Sequence, residues 1–243
     1  DRLTKVFSKA NSLGLNIFCG TGVDGEHDPS SEEPNIRKNA LQYLKNCIDI
    51  AAQGNACAIN GVLYAPWQAF SDIPKEKRWE NSAQVLREAA EYGAEKGIDL
   101  HVEVINRFES DFMNTLEEGA AFLEKVNHAH VKLLVDTFHM NIEEDSMGDA
   151  IRQTGDLLGH LHLGEANRRP PHGKGRIPWA EIGEALHDIN YTGDVVMEPF
   201  VRMDGQIRKD IRIWHDLSNG CSDKELDKDA AKAVAYLRNM WEK

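Results

Sequence analysis

The feature that most constrains the fold of this chain is an apolar run that stops on an acidic residue. The segment Val131–Val135 is too short for a helix and too continuous for a strand with one exposed face. It is followed at once by Asp136, and His139 comes three residues later. We therefore predict a buried parallel strand with Asp136 at its carboxyl end, the edge at which parallel α/β proteins bind ligands. For a single such residue, the alternative is a cap or turn role.

Three more predicted strands carry a potential metal ligand near their carboxyl ends. These are Asp99–Val104 with Glu103, Gly159–Leu163 with His162, and Asp194–Pro199 with Glu198. The four ligands, Asp136 included, are separated by 33, 26 and 36 residues. Each interval fits one strand, one crossover helix and their loops. Four successive βα units therefore present one ligand each at the same edge of the sheet.

Strand and helix alternate along the whole chain. Two earlier strands are predicted at Leu15–Gly20 and Cys57–Leu63. The predicted helices are Asp1–Leu13, Asn35–Ala52, Glu80–Glu95, Asn114–Val126, Pro178–Ile189 and Asp227–Trp241. Ligands on several consecutive strands favour a (β/α)8 TIM barrel over an open sheet, and the glycine-rich nucleotide loops of open sheets are absent. The expected fold is α/β, with six βα units and a single domain over residues 1–243.

Charge and composition exclude several partners. The chain has 28 Lys and Arg against 40 Asp and Glu, a net charge of −12 that repels phosphate backbones and anionic lipid surfaces. No apolar run approaches the roughly 18–20 residues of a membrane span, and no signal-peptide pattern opens the chain. The four cysteines form no disulfide or zinc pattern. We therefore predict a cytoplasmic protein that binds neither nucleic acid nor membranes.

Five motifs in the second half of the chain resemble those of one enzyme family. They are VEVINRFE at 102–109, VDTFHMNIEEDSMGDAIR at 135–152, GHLHLGEANRR at 159–169, GKGRIPWAEIGEAL at 173–186 and DINYTGDVVMEPFV at 188–201. They are similar to the D-tagatose 3-epimerase and D-psicose (D-allulose) 3-epimerase family of xylose-isomerase-like TIM barrels. The resemblance covers nearly the whole chain and is weaker before about residue 98.

The resemblance implies a ketose 3-epimerase that uses one divalent cation, Mn²⁺ first and Co²⁺ or Mg²⁺ as alternatives. Carried onto this sequence, the metal ligands are Glu103, Asp136, His162 and Glu198, and the catalytic acid and base are Glu103 and Glu198. The substrate-binding residues are Glu109, His139 and Arg168, with Trp67 as a pocket wall. A small-molecule ketose is the expected partner, in a homodimer or homotetramer.

The chemistry of the residues agrees with this implication. Three carboxylates and one imidazole form an oxygen-rich ligand set that suits Mn²⁺ or Mg²⁺. Structural zinc sites are instead rich in sulfur ligands. Carboxylates on opposite sides of C3 could remove a proton from one face and return one to the other. Two alternatives stay open: an aldose–ketose isomerase of the same superfamily, and a non-catalytic sugar-binding remnant. A phosphodiester-cleaving relative would need a basic face, which the net charge opposes.

The substrate residues have plainer alternatives, and the chain departs from the family pattern. Glu109 could be a solvated acid, His139 a packing histidine, Arg168 a basic loop residue and Trp67 a core residue. The family's first strand, first helix and second strand have no counterpart here, so we expect an N-terminally incomplete barrel domain with two unpaired strand edges. The loop PPHGKG is also longer than usual, close to Arg168.

Overall fold

The structure is a computed structural model that describes residues 2–242. Within these residues the fold consists of six parallel strands and their connecting helices. The strands are β1 Phe18–Gly20, β2 Ala58–Gly61, β3 Asp99–Glu103, β4 Val131–Asp136, β5 Leu158–Leu163 and β6 Val195–Met197. The helices are α1 Arg2–Ser12, α2 Pro34–Gln53, α3 Lys75–Ala94, α4 Leu116–Val126, α5 Thr137–Glu143, α6 Met147–Thr154, α7 Trp179–Asp188, α8 Ile207–Asp210 and α9 Asp223–Trp241. Within residues 2–242, no helix combines the length and apolarity needed to cross a bilayer.

The sheet keeps chain order from β1 to β6, and each strand pairs in parallel with its neighbour in sequence. This is the order of consecutive strands around a TIM barrel. The Asn16 side chain, just before β1, donates to both carboxylate oxygens of Asp194, just before β6, at 3.1 and 2.9 Å. The sheet is therefore curled so that the amino ends of its two edge strands meet. The predicted α/β class with six βα units is confirmed.

Several predicted boundaries are wrong. Helix α3 begins at Lys75 rather than at Glu80, directly after Pro74, and α9 begins at Asp223 rather than at Asp227. The earlier start of α9 follows from a capping box, in which the Ser222 and Glu225 side chains satisfy each other's backbone N–H groups. Strands β1 and β6 are shorter than predicted because only three residues of each pair with a neighbour.

The segment between β4 and β5 holds two helices, α5 and α6, that the sequence analysis did not predict. Both are short, at seven and eight residues, and short helices give only weak periodic signals. Of the predicted first helix, Asp1 lies outside the described residues, and the rest agrees with α1 to within a residue at its end.

An aromatic cluster supports the end of β3. The Tyr64 ring stacks on Phe112 at 4.6 Å between centroids, and Phe122 packs edge-on against Phe112 at 5.1 Å. All three side chains are fully buried, and burying each stabilises the fold by roughly 1.5–3 kcal/mol. The Tyr64 hydroxyl donates to the carbonyl oxygen of Glu103 at 2.9 Å. The packed rings therefore fix the backbone at the strand end that carries the first acidic residue of the site.

Candidate metal and substrate site

The four predicted metal ligands lie at neighbouring strand ends. Glu103 is the last residue of β3, and Asp136 is the last residue of β4. His162 is the second-last residue of β5 and pairs directly with Asp136. Glu198 follows β6, and its N–H continues the pairing by donating to the Leu163 carbonyl oxygen at 2.9 Å. The structure therefore brings all four to one edge of the sheet, as the sequence pattern predicts.

Two overlapping groups of metal-binding atoms form at this edge. One oxygen each of Glu103 and Glu198 and one nitrogen of His162 lie within 4.8 Å of one another. Glu103 also forms a group of the same size with Asp136 and His139. Three of the four predicted ligands thus converge in one group, and the fourth, Asp136, joins through Glu103.

Arg168, a predicted substrate residue, lies between two predicted ligands. Its Nη1 donates to Asp136 Oδ2 at 2.6 Å and to Glu198 Oε2 at 3.1 Å. Its guanidinium packs over the Phe138 ring at 3.7 Å from the centroid. Arg168 has φ of 61°, and its N–H donates to the Glu165 carbonyl oxygen at 2.8 Å, so a tight turn delivers this side chain into the site.

Asp136 combines the two roles that the sequence left open. Its Oδ1 caps α5 by accepting from the Phe138 N–H at 2.9 Å, while its Oδ2 faces Arg168 and the site. The whole residue is buried. Burial by itself raises the pKa of Asp136, but the Arg168 guanidinium, the two nearby histidines and the Phe138 N–H together outweigh it and hold this pKa below its usual value. Asp136 is therefore an anion at neutral pH.

The remaining predicted substrate residues form one hydrogen-bond network. The Trp67 indole donates to Glu109 Oε2 at 2.8 Å, and the Asn106 amide donates to Glu109 Oε1 at 2.9 Å. The same Asn106 amide lies 2.7 Å from His139 Nδ1. Asn106 was not a predicted site residue, although it stands inside the NRFE motif and asparagine is a common side-chain-bonded turn residue. It connects three of the four predicted substrate residues.

The two acidic residues with the proposed catalytic role hold protons unusually tightly. Burial, with the nearby charges of Glu198 and Asp136, raises the pKa of Glu103 well above its usual value. Burial, with the charge of Asp136, raises the pKa of Glu198 to about 7. Arg168 is the cation that faces them, and one positive charge does not balance three carboxylates. The cluster is therefore stabilised either by bound protons or by a further cation.

The donor set fits a divalent cation. Among residues 2–242, His162 Nδ1 is one of the few buried side-chain atoms with no hydrogen-bond partner, and it lies 3.7 Å from Glu198 Oε1. Burial lowers the pKa of His162, so its imidazole is neutral and has a free lone pair. Carboxylate oxygens with one imidazole are ligands that Mn²⁺ and Mg²⁺ accept. A cation bound between His162, Glu103 and Glu198 would give the unpaired nitrogen of His162 a partner.

A cavity of about 590 Å³ opens above this cluster, a size typical of small-molecule sites. Its polar wall includes Glu103, His139, His162, Arg168 and Glu198, and its apolar wall includes Trp67, Phe200, Ile207 and Ile211. His160 lies deeper on the same strand, with its ring centroid 5.1 Å from that of His162. It is fully buried, so it is an interior residue of the barrel.

Comparison with known families and proteins identifies what this arrangement is similar to. The sequence model of the xylose isomerase-like TIM barrel family matches residues 2–238. The D-psicose 3-epimerase of Ruminiclostridium cellulolyticum is 46% identical over 235 residues, which are 96% of this chain and 80% of that protein. The D-psicose 3-epimerase of Agrobacterium fabrum is 43% identical over 238 residues, 97% of this chain and 82% of that protein.

Solved structures give the same result. A crystal structure of D-psicose 3-epimerase with D-tagatose, from Clostridium cellulolyticum, superposes with a TM-score of 0.94 at 44% identity. The alignment covers 98% of this chain and 83% of that one. A structure of L-ribulose 3-epimerase superposes with a TM-score of 0.90 at 30% identity, covering 99% of this chain and 80% of that one.

Proposed function

Because this chain belongs to the xylose isomerase-like TIM barrel family, among the D-psicose 3-epimerases, we propose that it is a metal-dependent ketose 3-epimerase. The proposed reaction inverts C3 of a free ketohexose of the D-tagatose or D-psicose/D-fructose type. The observation that carries the proposal is the convergence of Glu103, His162 and Glu198 within 4.8 Å, beside Asp136 and Arg168. A cavity of small-molecule size above the cluster supports it.

We propose that Glu103, Asp136, His162 and Glu198 hold one divalent cation, with Mn²⁺ first and Co²⁺ or Mg²⁺ as alternatives. When bound, such an ion polarises a carbonyl and lowers the cost of removing a neighbouring proton. Asp136 is already anionic, and His162 is already neutral, so both are in the form that binds a metal. Protons compete with the cation for the carboxylate oxygens of Glu103 and Glu198.

Proton transfer at C3 falls to the two glutamates. In the proposed mechanism, one carboxylate of the pair takes the C3 proton from one face of the ketose, which leaves an enediolate of the sugar. The carboxyl group of the other glutamate gives a proton to C3 from the opposite face, so the configuration inverts and protons balance. The pKa of Glu198, raised to about 7, suits this exchange, since a group that titrates near neutral pH can serve as acid and as base. Burial also raises the pKa of Glu103, which favours the proton-bearing form of its carboxyl group.

The other residues of the cavity orient the sugar in this proposal. Arg168 supplies charge-assisted hydrogen bonds to ketose oxygens, and its packing on Phe138 fixes the plane of the guanidinium. His139 and Glu109 are held by Asn106 at the same side of the cavity. Trp67 lines the cavity and donates to Glu109, so it supplies an apolar wall and holds a polar neighbour in place.

The experiment that tests the proposal is product analysis with D-fructose and Mn²⁺. The proposed activity gives D-psicose, and Glu198→Gln lowers the rate by about 10²–10⁴-fold because a general acid or base is lost. Glu184→Gln, an exposed position on α7, is the matched control and keeps the full rate. An aldose as product would instead show an aldose–ketose isomerase. Ketose binding without turnover at saturating Mn²⁺ would show a sugar-binding protein.

A further inference from the structure

Asn106 is a buried residue that contacts His139 with two separate donors. It lies in the loop after β3 and is 1% exposed. Its backbone N–H donates to His139 Nδ1 at 3.2 Å, and its side-chain Nδ2 lies 2.7 Å from the same nitrogen. Both contacts are buried, so water does not compete with them.

The orientation of the Asn106 amide is fixed by its other partners. Its Oδ1 accepts from the Phe108 N–H at 2.9 Å, and a backbone N–H can only donate. Its Nδ2 faces a carboxylate oxygen of Glu109 at 2.9 Å, and that oxygen accepts. The Trp67 indole occupies the other Glu109 oxygen, which holds the carboxylate in this position. The amide group therefore points its NH2 at His139.

These contacts decide which nitrogen of His139 carries the proton. Nδ1 receives two N–H donors and must present its lone pair to them. Because Nδ1 carries no proton, the ring proton of His139 is on Nε2. That Nε2 lies 3.7 Å from Glu103 Oε1 and 3.8 Å from Asp136 Oδ2, beyond hydrogen-bond distance of either.

A protonated nitrogen has no lone pair for a metal ion. His139 is close enough to Glu103 and Asp136 to complete a second group of three metal-binding atoms, but its Nε2–H makes it a donor in that place. His162 differs because its Nδ1 has no hydrogen-bond partner. His139 thus presents an N–H donor to the carboxylates, whereas His162 presents a nitrogen with no hydrogen-bond partner. The distances of the two histidines to the carboxylates are similar.

We propose that Asn106 is a positioning residue that holds His139 in the Nε2-protonated form, which makes His139 a hydrogen-bond donor to the bound ketose and excludes it from the ligands of the cation. The ketose as acceptor rests on the proposed function. The tautomer and the exclusion from the metal do not depend on it, since both follow from the contacts of Asn106.

The tautomer is measured by long-range ¹H–¹⁵N correlation spectra of protein labelled with ¹⁵N-histidine. The His139 signals are assigned by their loss in His139→Gln. We expect an unprotonated Nδ1 and a protonated Nε2, without metal and with diamagnetic Mg²⁺. Asn106→Asp replaces an N–H donor by a carboxylate, which favours a proton on Nδ1 of His139. In this variant we expect a protonated Nδ1 and an unprotonated Nε2. Phe108→Ala is the matched control in the same loop, since its side chain is 61% exposed.

The exclusion of His139 from the metal is measured by Mn²⁺ titration of two alanine variants. His139→Ala should keep the Mn²⁺ affinity within about 3-fold, and Asn106→Ala should do the same. His162→Ala removes a ligand and should lower the affinity by about 100-fold or more, which exceeds the 10–100-fold typical of residues behind the ligands. For turnover, Asn106→Asp should lower kcat/KM for D-fructose by about 2–10-fold, as when one hydrogen bond between neutral groups is lost.

The outcomes separate this inference from the proposed function. A proton on Nδ1 of His139 in the unaltered protein would overturn the inference, and so would equal losses of Mn²⁺ affinity in His139→Ala and His162→Ala. Unchanged tautomer and unchanged kcat/KM in Asn106→Asp would overturn it too. If the Asp variant does not fold, an unchanged kcat/KM in Asn106→Ala would overturn it. The expected tautomer and affinities without any epimerisation would refute the proposed function and the ketose acceptor alone.

Discussion

Loading the metal-free protein with Mn²⁺ is expected to release protons near neutral pH. The pKa of Glu198, raised to about 7 by burial and by the charge of Asp136, leaves this carboxyl about half protonated at pH 7. Burial also raises the pKa of Glu103 well above its usual value, so any proton that this group still carries at pH 7 is displaced as well. Asp136 is already anionic and His162 already neutral, so neither adds a proton. Binding by all four residues should therefore release at least about half a proton per cation at pH 7.

Calorimetric titration in buffers with different ionisation enthalpies measures this number directly. The release should fall as pH rises above 7, since Glu198 is then ionised before the metal arrives. Glu198→Gln removes one titrating group and should lower the release at pH 7 by about half a proton. Glu184→Gln on α7 should release as many protons as the unaltered protein. Stoichiometric binding at pH 7 with no proton release would refute the reasoning from the buried carboxyl pair.

Three further predictions concern the loop, the pocket and the interior. Gly175→Ala should destabilise the fold by about 1–3 kcal/mol in thermal unfolding, because the added Cβ would overlap the buried Glu165 carboxylate. Trp67→Phe should raise KM for D-fructose about 5-fold in initial-rate measurements, since Glu109 loses a donor. Burial lowers the pKa of His160 to about 3, so below pH 6.5 the unfolded chain gains a proton that the folded one does not. The free energy of unfolding should therefore decrease as the pH is lowered, by about 2 kcal/mol at pH 5. In urea unfolding, His160→Leu should remove this decrease.

Matched variants make these results specific. Gly25→Ala has open space around its Cβ and should leave the unfolding midpoint unchanged. His215→Leu is exposed and should keep the dependence of stability on pH. An unchanged midpoint in the Gly175 variant would show that the loop adapts. A lower kcat with unchanged KM in Trp67→Phe would contradict a role in ketose binding, and an unaltered pH dependence in the His160 variant would contradict a neutral interior histidine.

The strand ends were predictable from sequence because they combine two strong signals. Buried parallel strands give short continuous apolar runs, and the carboxyl ends of such strands are where α/β proteins bind ligands. Asp136 shows both, and the regular spacing of Glu103, His162 and Glu198 extends the signal to neighbouring strands. The order of the strands followed from the alternation with helices. The placement of four potential ligands at one edge therefore needed no coordinates.

The contacts between these residues were not predictable. Arg168 reaches Asp136 and Glu198 only because a tight turn puts its backbone in the left-handed region, which asparagine and glycine adopt more readily. Asn106 gives no distinct signal within the NRFE motif, since its role depends on the distance to a histidine 33 residues away. Side-chain orientation across a barrel is a matter of tertiary packing, and no local pattern records it.

The measurement that tests the central claim most directly is the fate of the C3 hydrogen in D₂O. D-Fructose, D-psicose or D-tagatose is incubated with the Mn²⁺-loaded protein, and the product is analysed by NMR. Proton transfer between C3 and the carboxyl groups of Glu103 and Glu198, which exchange with water, should place deuterium at C3 of the epimerised ketose. Glu103→Gln and Glu198→Gln should each abolish the incorporation of deuterium. The metal content of both variants is measured alongside. An aldose product, or label at C1 or C2 with C3 untouched, would contradict the account.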